Sequence, residues 1–149
     1  MELLGKNISK LKKSLNFNFT DVLAYNILLQ MLTCIENIHD KGYIHRDIKP
    51  SNFVVCLLQR KVYMVDFGLA KLHLNKKGEP FAERKKTDFR GTIAYASMNA
   101  HNRIVFQTLI KDLSRRDDLW SFFFVILEML GETIPWRLVG DDKVNLIFT

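Results

Sequence analysis

One segment limits the fold of this chain more than any other: RRDDLWSFFFVILEML, residues 115–130, in which apolar side chains fall on nearly every face of a helix. Ser114, followed three residues later by Asp117, is a capping-box pattern that predicts where this helix begins, and Gly131 predicts where it ends. A helix with so little polar surface needs other elements to cover it. We therefore predict a buried helix, with the Phe and Leu side chains of 122–127 in the core.

The length and composition are those of one globular unit. The chain has 149 residues, 48% of them hydrophobic, and neither a repeat nor a Pro/Gly-rich linker divides it. The formal net charge of +6 favours acidic partners without selecting one class. No motif combines this charge with aromatic stacking or base-reading spacing, so we expect no nucleic-acid partner.

The most apolar stretch, residues 119–127, is about half the length that a transmembrane helix needs, and the N-terminus carries no cleavable apolar signal. Cys34 and Cys56 have neither a CxxC pattern nor a His at ligand spacing, which argues against a disulfide framework or a zinc site. We expect a protein without a membrane partner, working in the cytoplasm, with the nucleus as a second location.

Local patterns predict the remaining elements. Asn7 can cap a short helix, and Thr20 or Asp21 opens a longer one that ends near Gly42. Two apolar runs, FVVCLL at 53–58 and KVYMVDF at 61–67, are close enough to pair as a hairpin. Residues from 68 to about 99 are polar and basic, so they predict a long loop of the kind that is either functional or disordered.

A cluster of charged and polar residues precedes this hairpin. His45, Arg46, Asp47, Lys49 and Asn52 match H-R-D-x-K-x-x-N, and D-F-G follows the hairpin at Asp66, Phe67 and Gly68. Each motif alone is weak, and a turn or cap role would explain either Asp. In this order and spacing, however, they resemble the catalytic and metal-binding loops of protein kinases.

The resemblance implies a role for each residue. Asp47 would orient the attacking hydroxyl and accept its proton, Lys49 would contact the transferring phosphoryl group of ATP, and Asn52 and Asp66 would offer oxygen ligands to Mg²⁺. The family pattern gives structural roles to the other four motif residues: His45 and Arg46 support the loop, Phe67 packs beneath the metal ligand, and Gly68 lets the backbone turn.

A second block narrows the resemblance. RGTIAYASMNAH at 90–101, RRDDLWSFF at 115–123 and IPWR at 134–137 resemble the casein kinase 1 superfamily, most closely its tau-tubulin kinase branch. This implies a serine/threonine kinase with protein substrates, acidic or cytoskeletal in nature. Within it, Asp118 would anchor the catalytic loop and Trp120 would pack in the core. The resemblance places four further residues in the activation segment and substrate region: Arg90, Thr92, Ser97 and Asn99.

The chain departs from this pattern in several places. Ala94 stands where relatives have an Arg that binds an anion, so recognition of primed substrates is not expected. The basic residues Arg84, Lys85 and Lys86 either attract acidic peptides or form a solvated loop. An apolar insert at 104–110 and a tail at 144–149 are unlike the family and suggest an interaction element or a retained intron. We assign no switch role to Thr87 or Thr92.

The fold class implied by the resemblance is α+β, the mainly helical C-terminal lobe of a kinase with a small β hairpin and without the N-terminal lobe. Residues 1–149 would be a partial kinase domain, with the catalytic loop at 45–52 and the activation segment at 66–99. No G-x-G-x-x-G loop or V-A-I-K lysine is found in the 149 residues. We therefore expect little activity from the isolated chain. The alternatives are a pseudokinase or peptide-binding module and, less well matched, a small-molecule phosphotransferase.

Overall fold

The computed structural model describes residues 4–16, 19–82, 90–101, 112–134 and 136. Two helices come first among the described residues, four short strands follow, and a third helix lies near the end. The helices are α1 (Ile8–Ser14), α2 (Asp21–Asp40) and α3 (Arg115–Met129); the strands are β1 (Tyr43–Ile44), β2 (Phe53–Cys56), β3 (Lys61–Met64) and β4 (Lys71–Leu72). Short 3₁₀ turns span Pro50–Asn52, Phe67–Leu69 and Ile93–Tyr95, and residues 98–101 are helical.

Side-chain caps mark the beginnings of α1 and α2 at the residues that the sequence predicts. The Asn7 side chain accepts the amide of Lys10 at 2.8 Å, and Thr20 accepts the amide of Leu23 at 3.3 Å. Gly42, with φ of +80°, follows α2 in a conformation that favours glycine. Both predicted helix starts are therefore confirmed.

The predicted hairpin is present, with shorter strands. Strands β2 and β3 are antiparallel, with Phe53 opposite Met64 and Cys56 opposite Lys61. Leu57 and Leu58 belong to the turn and not to the strand, and their side chains are exposed. The segment before α1 runs beside β2, because the amide of Gly5 donates to the carbonyl of Val55 at 3.1 Å.

One strand of a second small sheet, β4, lies in the region that the sequence predicts as a long loop. Strand β4 pairs antiparallel with β1, so that Tyr43 faces Leu72 and Ile44 faces Lys71. These two strands are too short to leave an alternating pattern in the sequence. Their pairing ties the residues after the D-F-G motif to the segment that enters the catalytic loop.

The core forms where α2, α3 and the hairpin meet. Met31 and Ile35 of α2, Phe53 of β2 and Val125 of α3 are each 0% exposed. The indole of Trp136 donates to the carbonyl of Ala94 at 3.0 Å, which joins the segment after α3 to the 3₁₀ turn at Ile93–Tyr95. Burial of apolar surface at this centre is the main stabilising contribution.

Helix α3 is only partly buried, so the prediction of burial on every face is wrong. Leu119, Trp120 and Phe123 are 45%, 46% and 45% exposed, and the Trp120 ring contacts both the exposed Phe123 and the buried Phe124, with ring centroids 5.8 and 5.9 Å away. Phe122 and Phe124 are buried as predicted. Helix α2 and the Ile93–Tyr95 turn pack against α3, while Leu119, Trp120 and Phe123 keep nearly half of their surface exposed.

Among the described residues, none of the helices combines the length and the hydropathy that crossing a bilayer requires. Cys34 and Cys56 both carry free thiols. Several sequence predictions concern residues outside the described ranges, and they stay predictions: the basic residues Arg84, Lys85 and Lys86, Thr87, the insert at 104–110 and the tail at 144–149.

Candidate active site

The carboxylate of Asp47 lies at the centre of a compact polar cluster. Its Oδ2 is 2.7 Å from Lys49 Nζ, and its Oδ1 accepts the hydroxyl of Thr92 at 2.7 Å. Asn52 Nδ2 donates to the Asp47 carbonyl at 2.9 Å and to its Oδ2 at 3.1 Å. Asp47 is 8% exposed. These four side chains thus form one hydrogen-bonded unit with a single defined geometry.

Opposing effects act on the pKa of Asp47, and the net result is a lowered value. Burial raises the pKa of this carboxyl, because a charged group is poorly solvated there. Hydrogen bonds from Lys49, Thr92 and Asn52, together with the positive charge of Lys49, stabilise the ionised form and outweigh burial. Asp47 is therefore a carboxylate at neutral pH, able to accept a hydrogen bond and to orient a donor.

Thr92 connects the later part of the chain to this unit. Its hydroxyl donates to Asp47 and accepts from Lys49 Nζ at 2.9 Å, so it bridges the two charged groups. The preceding residue, Gly91, has φ of +125°, and a Cβ there would lie 2.5 Å from the carbonyl oxygen of Arg46. Only glycine allows this approach. The sequence marks Thr92 but gives no signal for Gly91.

Asp66 lies after β3 with its side chain exposed. Its backbone is left-handed, with φ of 63°, and its carboxylate accepts the amide of Gly68 at 3.4 Å. The unusual conformation is thus at Asp66, whereas the sequence assigned the turn to Gly68, whose φ is not positive. Phe67 is 52% exposed and contacts the ring of His45 at 5.5 Å between centroids, so it is packed on one side only.

The loop before Asp47 is held by Asp118 of α3, which is 1% exposed. Its carboxylate accepts the amides of His45 and Arg46, each at 2.8 Å, and lies 2.9 Å from His39 Nε2. This is the anchoring contact that the resemblance implies for Asp118. His39 belongs to none of the sequence motifs, and its contact with Asp118 arises only because α2 packs against α3.

Two further contacts shape this loop. Arg46 has a left-handed φ of 69°, and its Nε donates to the carbonyl of Leu69 at 2.6 Å. His45 is fully buried beside it, with Nε2 3.4 Å from the carbonyl of Val65. Burial lowers the pKa of His45, against the opposing charge of Asp118. His45 is therefore a packing residue, in agreement with the structural role that the sequence predicts.

The residues near 97–99 are tied to the start of α3. Ser97 is 2% exposed and donates to Asp117 Oδ1 at 2.6 Å, while Asp117 Oδ2 accepts the amide of Ser114 at 2.7 Å. Asp117 therefore closes the predicted capping box and also holds this segment. With its amide in the orientation that satisfies both groups, Asn99 accepts from the Arg116 guanidinium at 3.2 and 3.1 Å.

These bonds correct one reading of the sequence. Ser97 is bonded internally and buried, so its hydroxyl does not face a substrate, although the sequence groups it with the substrate region. Arg90, by contrast, is exposed. The prediction for Ser97 fails because Ser97 packs against the start of α3, a contact that sequence spacing does not specify.

The side-chain oxygens of Asn52 and Asp66 suit a hard cation that also binds oxygens of a ligand. Asn52 uses Nδ2 for both of its bonds to Asp47, which leaves its amide oxygen as a possible ligand, and the Asp66 carboxylate is exposed. Among the described residues, no group of three or more His, Cys, Asp or Glu side chains could hold a metal by itself. Mg²⁺ commonly takes one or two protein oxygens and completes its shell with water and phosphate oxygens, so these two residues fit it.

Two comparisons with known proteins found similar sequences. A family model described as the protein kinase domain matches residues 1–148. A probable serine/threonine-protein kinase of Dictyostelium discoideum is 44% identical over 150 aligned residues, which cover 97% of this chain and 29% of the relative. The chain thus spans less than a third of the length of that relative.

Proposed function

Because the chain belongs to the protein kinase family, we propose that it carries the catalytic loop and metal ligands of a serine/threonine kinase. In this proposal, Asp47 orients the hydroxyl of a protein serine or threonine, Lys49 contacts the transferring phosphoryl group, and Asn52 and Asp66 hold Mg²⁺. Family membership supports ATP as the donor and proteins as the substrates, and the whole protein's activity is part of the proposal.

The observation that carries the proposal is the bonded unit around Asp47. Kinase chemistry depends mainly on positioning and charge stabilisation, because the transferred group passes through a loose transition state. MgATP, when bound, would supply the γ-phosphoryl group, and its Mg²⁺ would offset the negative charge of the phosphate oxygens. Three donors at 2.7 to 3.1 Å fix the Asp47 carboxylate, so it is prepared to orient a hydroxyl without a further rearrangement. Its lowered pKa suits orientation better than early proton removal.

We assign the chain to the casein kinase 1 superfamily and its tau-tubulin kinase branch. Support comes from Ala96 to Asn99, which replace the A-P-E sequence of most kinases. Ser97 bonds to Asp117, and Asn99 bonds to Arg116. These contacts give Ser97 and Asn99 structural roles in this chain. Because Ala94 cannot bind an anion, the proposed substrates are acidic or cytoskeletal proteins that do not require prior phosphorylation.

The proposal also gives the extent of the domain, the activity expected of these residues alone and their location in the cell. Residues 1–149 would form a C-terminal kinase lobe, with the catalytic loop at 45–52, the activation segment at 66–99 and the scaffold helix at about 115–130. Since the 149 residues contain no glycine-rich loop or strand lysine, we expect them alone to bind nucleotide weakly and to transfer phosphate very slowly. The proposed location is cytoplasmic or nuclear.

Phosphoryl transfer is tested with Asp47→Asn, which keeps the shape of the side chain and removes its charge. Protein made from the longest natural reading frame is assayed with MgATP on casein and a tubulin peptide. We expect the variant to lose about 100-fold or more in kcat, in the range of general-base contributions. Asp40→Asn, an exposed carboxylate at the end of α2, is the control and should keep full activity. Unchanged kcat in Asp47→Asn would refute the catalytic assignment.

The alternative is a pseudokinase or peptide-binding module, favoured by the positive charge of the chain. It predicts binding of acidic peptides without transfer of phosphate, in wild type and Asp47→Asn alike. Titration of MgATP into the wild type and into Asp66→Asn distinguishes the two readings further. Our proposal expects weaker Mg²⁺-dependent nucleotide binding in Asp66→Asn, whereas a module that holds only peptides would show no such loss.

A further inference from the structure

A charged contact joins the segment after the D-F-G motif to the segment that leads into α3. Lys71 Nζ of β4 lies 2.6 Å from Asp112 Oδ2, and the two residues are 41 positions apart in the chain. Their side chains are 24% and 12% exposed, so water and salt screen this pair less than an ordinary surface ion pair. Neither residue belongs to the kinase motifs described above.

The ion pair lies beside a small apolar cluster. Leu113, which follows Asp112, is 6% exposed and clusters with Ile44 of β1 and two buried alanines. Ile44 is also the residue that faces Lys71 across the second sheet. The cluster and the ion pair therefore join the same segments, β1, β4 and the residues before α3. Apolar contact has no preferred direction, whereas a bond between two charged groups does, so the pair sets the orientation of β4.

The neighbours of the pair make the carboxylate more important. A cleft beside the pair is lined, among other residues, by Lys71, His73, Asp112 and Arg116. Burial, followed by the charges of Arg115 and Lys71, lowers the pKa of His73, so this ring is neutral at pH 7. Of the four side chains, Lys71 and Arg116 are then cations, and Asp112 is the anion. Without Asp112, two like charges would share the cleft and repel each other.

A short length of chain connects Lys71 to the proposed metal ligand Asp66. Five positions separate them, and the 3₁₀ turn Phe67–Leu69 fills most of this interval. Asp66 itself is weakly constrained, because its side chain is exposed and the amide of Gly68 donates to its carboxylate at 3.4 Å. The orientation of Asp66 thus depends on how the segment after it is held.

Hydrogen bonds to main-chain carbonyls hold this segment beside β1. The carbonyl of Leu69 accepts Arg46 Nε at 2.6 Å, and the amide of His73 donates to the carbonyl of Gly42 at 2.7 Å. Arg46 and Gly42 lie on either side of β1 in the chain. The ion pair ties the same segment to the residues before α3, so it adds a second attachment.

We propose that Asp112 is a positioning residue for Asp66 and that it acts through Lys71. This role rests on the proposed function, in which Asp66 holds Mg²⁺. The Asp112 carboxylate keeps Lys71, and with it the segment from Asp66 to β4, in one arrangement beside the catalytic loop. Asp47 is held separately, by its own hydrogen-bonded unit. Loss of Asp112 should therefore weaken the use of Mg²⁺ and leave the binding of the protein substrate unchanged.

The first test needs no enzymatic activity. In protein made from the longest natural reading frame, hydrogen exchange is measured at the amide of His73, which is bonded to Gly42. Asp112→Lys and Lys71→Glu should each exchange about three- to tenfold faster there than the wild type, because β4 opens more often without the pair. The double variant restores the pair with its charges exchanged and should regain the protection. Lys76→Glu, the same change at an exposed lysine in the following turn, is the control.

Two results of this experiment would overturn the proposal. One is equal exchange in Asp112→Lys and in the control, since the pair would then not hold β4. The other is a double variant that keeps its helices by far-UV circular dichroism and is no better protected than the single variants, since the charges would then not act on each other.

The second test measures phosphorylation of casein by the same protein at increasing Mg²⁺ concentration. We expect Asp112→Asn to need about threefold or more Mg²⁺ for half of its maximal rate, with an unchanged KM for casein. The double variant should need less Mg²⁺ than Asp112→Lys. A wild-type Mg²⁺ requirement in Asp112→Asn, or a raised KM for casein alone, would overturn the positioning role. Full kcat in Asp47→Asn would instead refute the proposed function, and with it the role in Mg²⁺ binding, whatever the exchange experiment shows.

Discussion

Removal of the Asp118 carboxylate should destabilise this fold more than most single substitutions. The carboxylate is 1% exposed and accepts three donors, the amides of His45 and Arg46 and the ring of His39, at 2.8 to 2.9 Å. Each buried donor left unpaired costs about 1 to 3 kcal/mol. Asp118→Ala should therefore lose about 3 to 9 kcal/mol, a large fraction of the 5 to 15 kcal/mol typical of a domain.

The isosteric variant separates charge from shape. In Asp118→Asn, the amide oxygen can take the place of Oδ2, which faces His45 and His39, while its NH₂ group would meet the amide of Arg46. One bond is lost and two donors face each other, so we expect a loss of about 2 kcal/mol. Arg46 would then lack the acceptor that holds its left-handed backbone in place, which adds to the cost.

Urea unfolding, followed by circular dichroism and fluorescence, measures both free energies of unfolding. Glu36→Gln is the control, since Glu36 is exposed on α2 and its change should stay within about 0.5 kcal/mol of wild type. If Asp118→Asn behaves like this control, then the three bonds to Asp118 do not hold the catalytic loop, and the account of the loop given above is wrong.

Two other predictions concern the same loop. Gly91→Ala should lower the free energy of unfolding by about 2 to 4 kcal/mol, because its Cβ would lie 2.5 Å from the Arg46 carbonyl in a strained backbone. Gly78→Ala, with φ of +78° and nothing within 4 Å, should lower it by only about 1 kcal/mol. Equal losses in urea unfolding would contradict this prediction. The pKa of Asp47 is lower in the folded chain, so its stabilising contribution is complete above the ordinary carboxyl pKa and is lost as the pH falls through the folded value. The stability difference between wild type and Asp47→Asn should therefore shrink in acid, and a difference independent of pH in the unfolding free energy would refute the shift.

Much of the local structure could be predicted from the sequence, because its causes are local. The cap of α1 at Asn7 and the capping box at Ser114 and Asp117 depend on residues three positions apart. The hairpin and the order of the catalytic motifs could likewise be read from spacing alone. Strand ends were less certain: β2 stops at Cys56, and the two following leucines enter a turn.

Parts of the candidate site could not be predicted, since they join distant residues. Gly91 was not marked because its need for a positive φ arises from the Arg46 carbonyl, which lies far from it in the chain. Ser97 was grouped with substrate residues because its spacing does not show that it packs against Asp117. The family pattern predicts the backbone turn at Gly68, whereas the left-handed conformation lies at Asp66, a residue type that adopts it less easily than glycine.

The sequence by itself determined the positions of the helices, the hairpin and the family motifs, because hydrophobic spacing, caps and turn residues act over a few positions. Only the tertiary structure decided which faces of these elements are covered. It leaves Trp120 exposed on α3, pairs His39 with Asp118 across 79 residues of chain, and places Thr92 between Asp47 and Lys49. Such contacts depend on how the elements pack, since burial and long-range hydrogen bonds follow from the arrangement of the whole core.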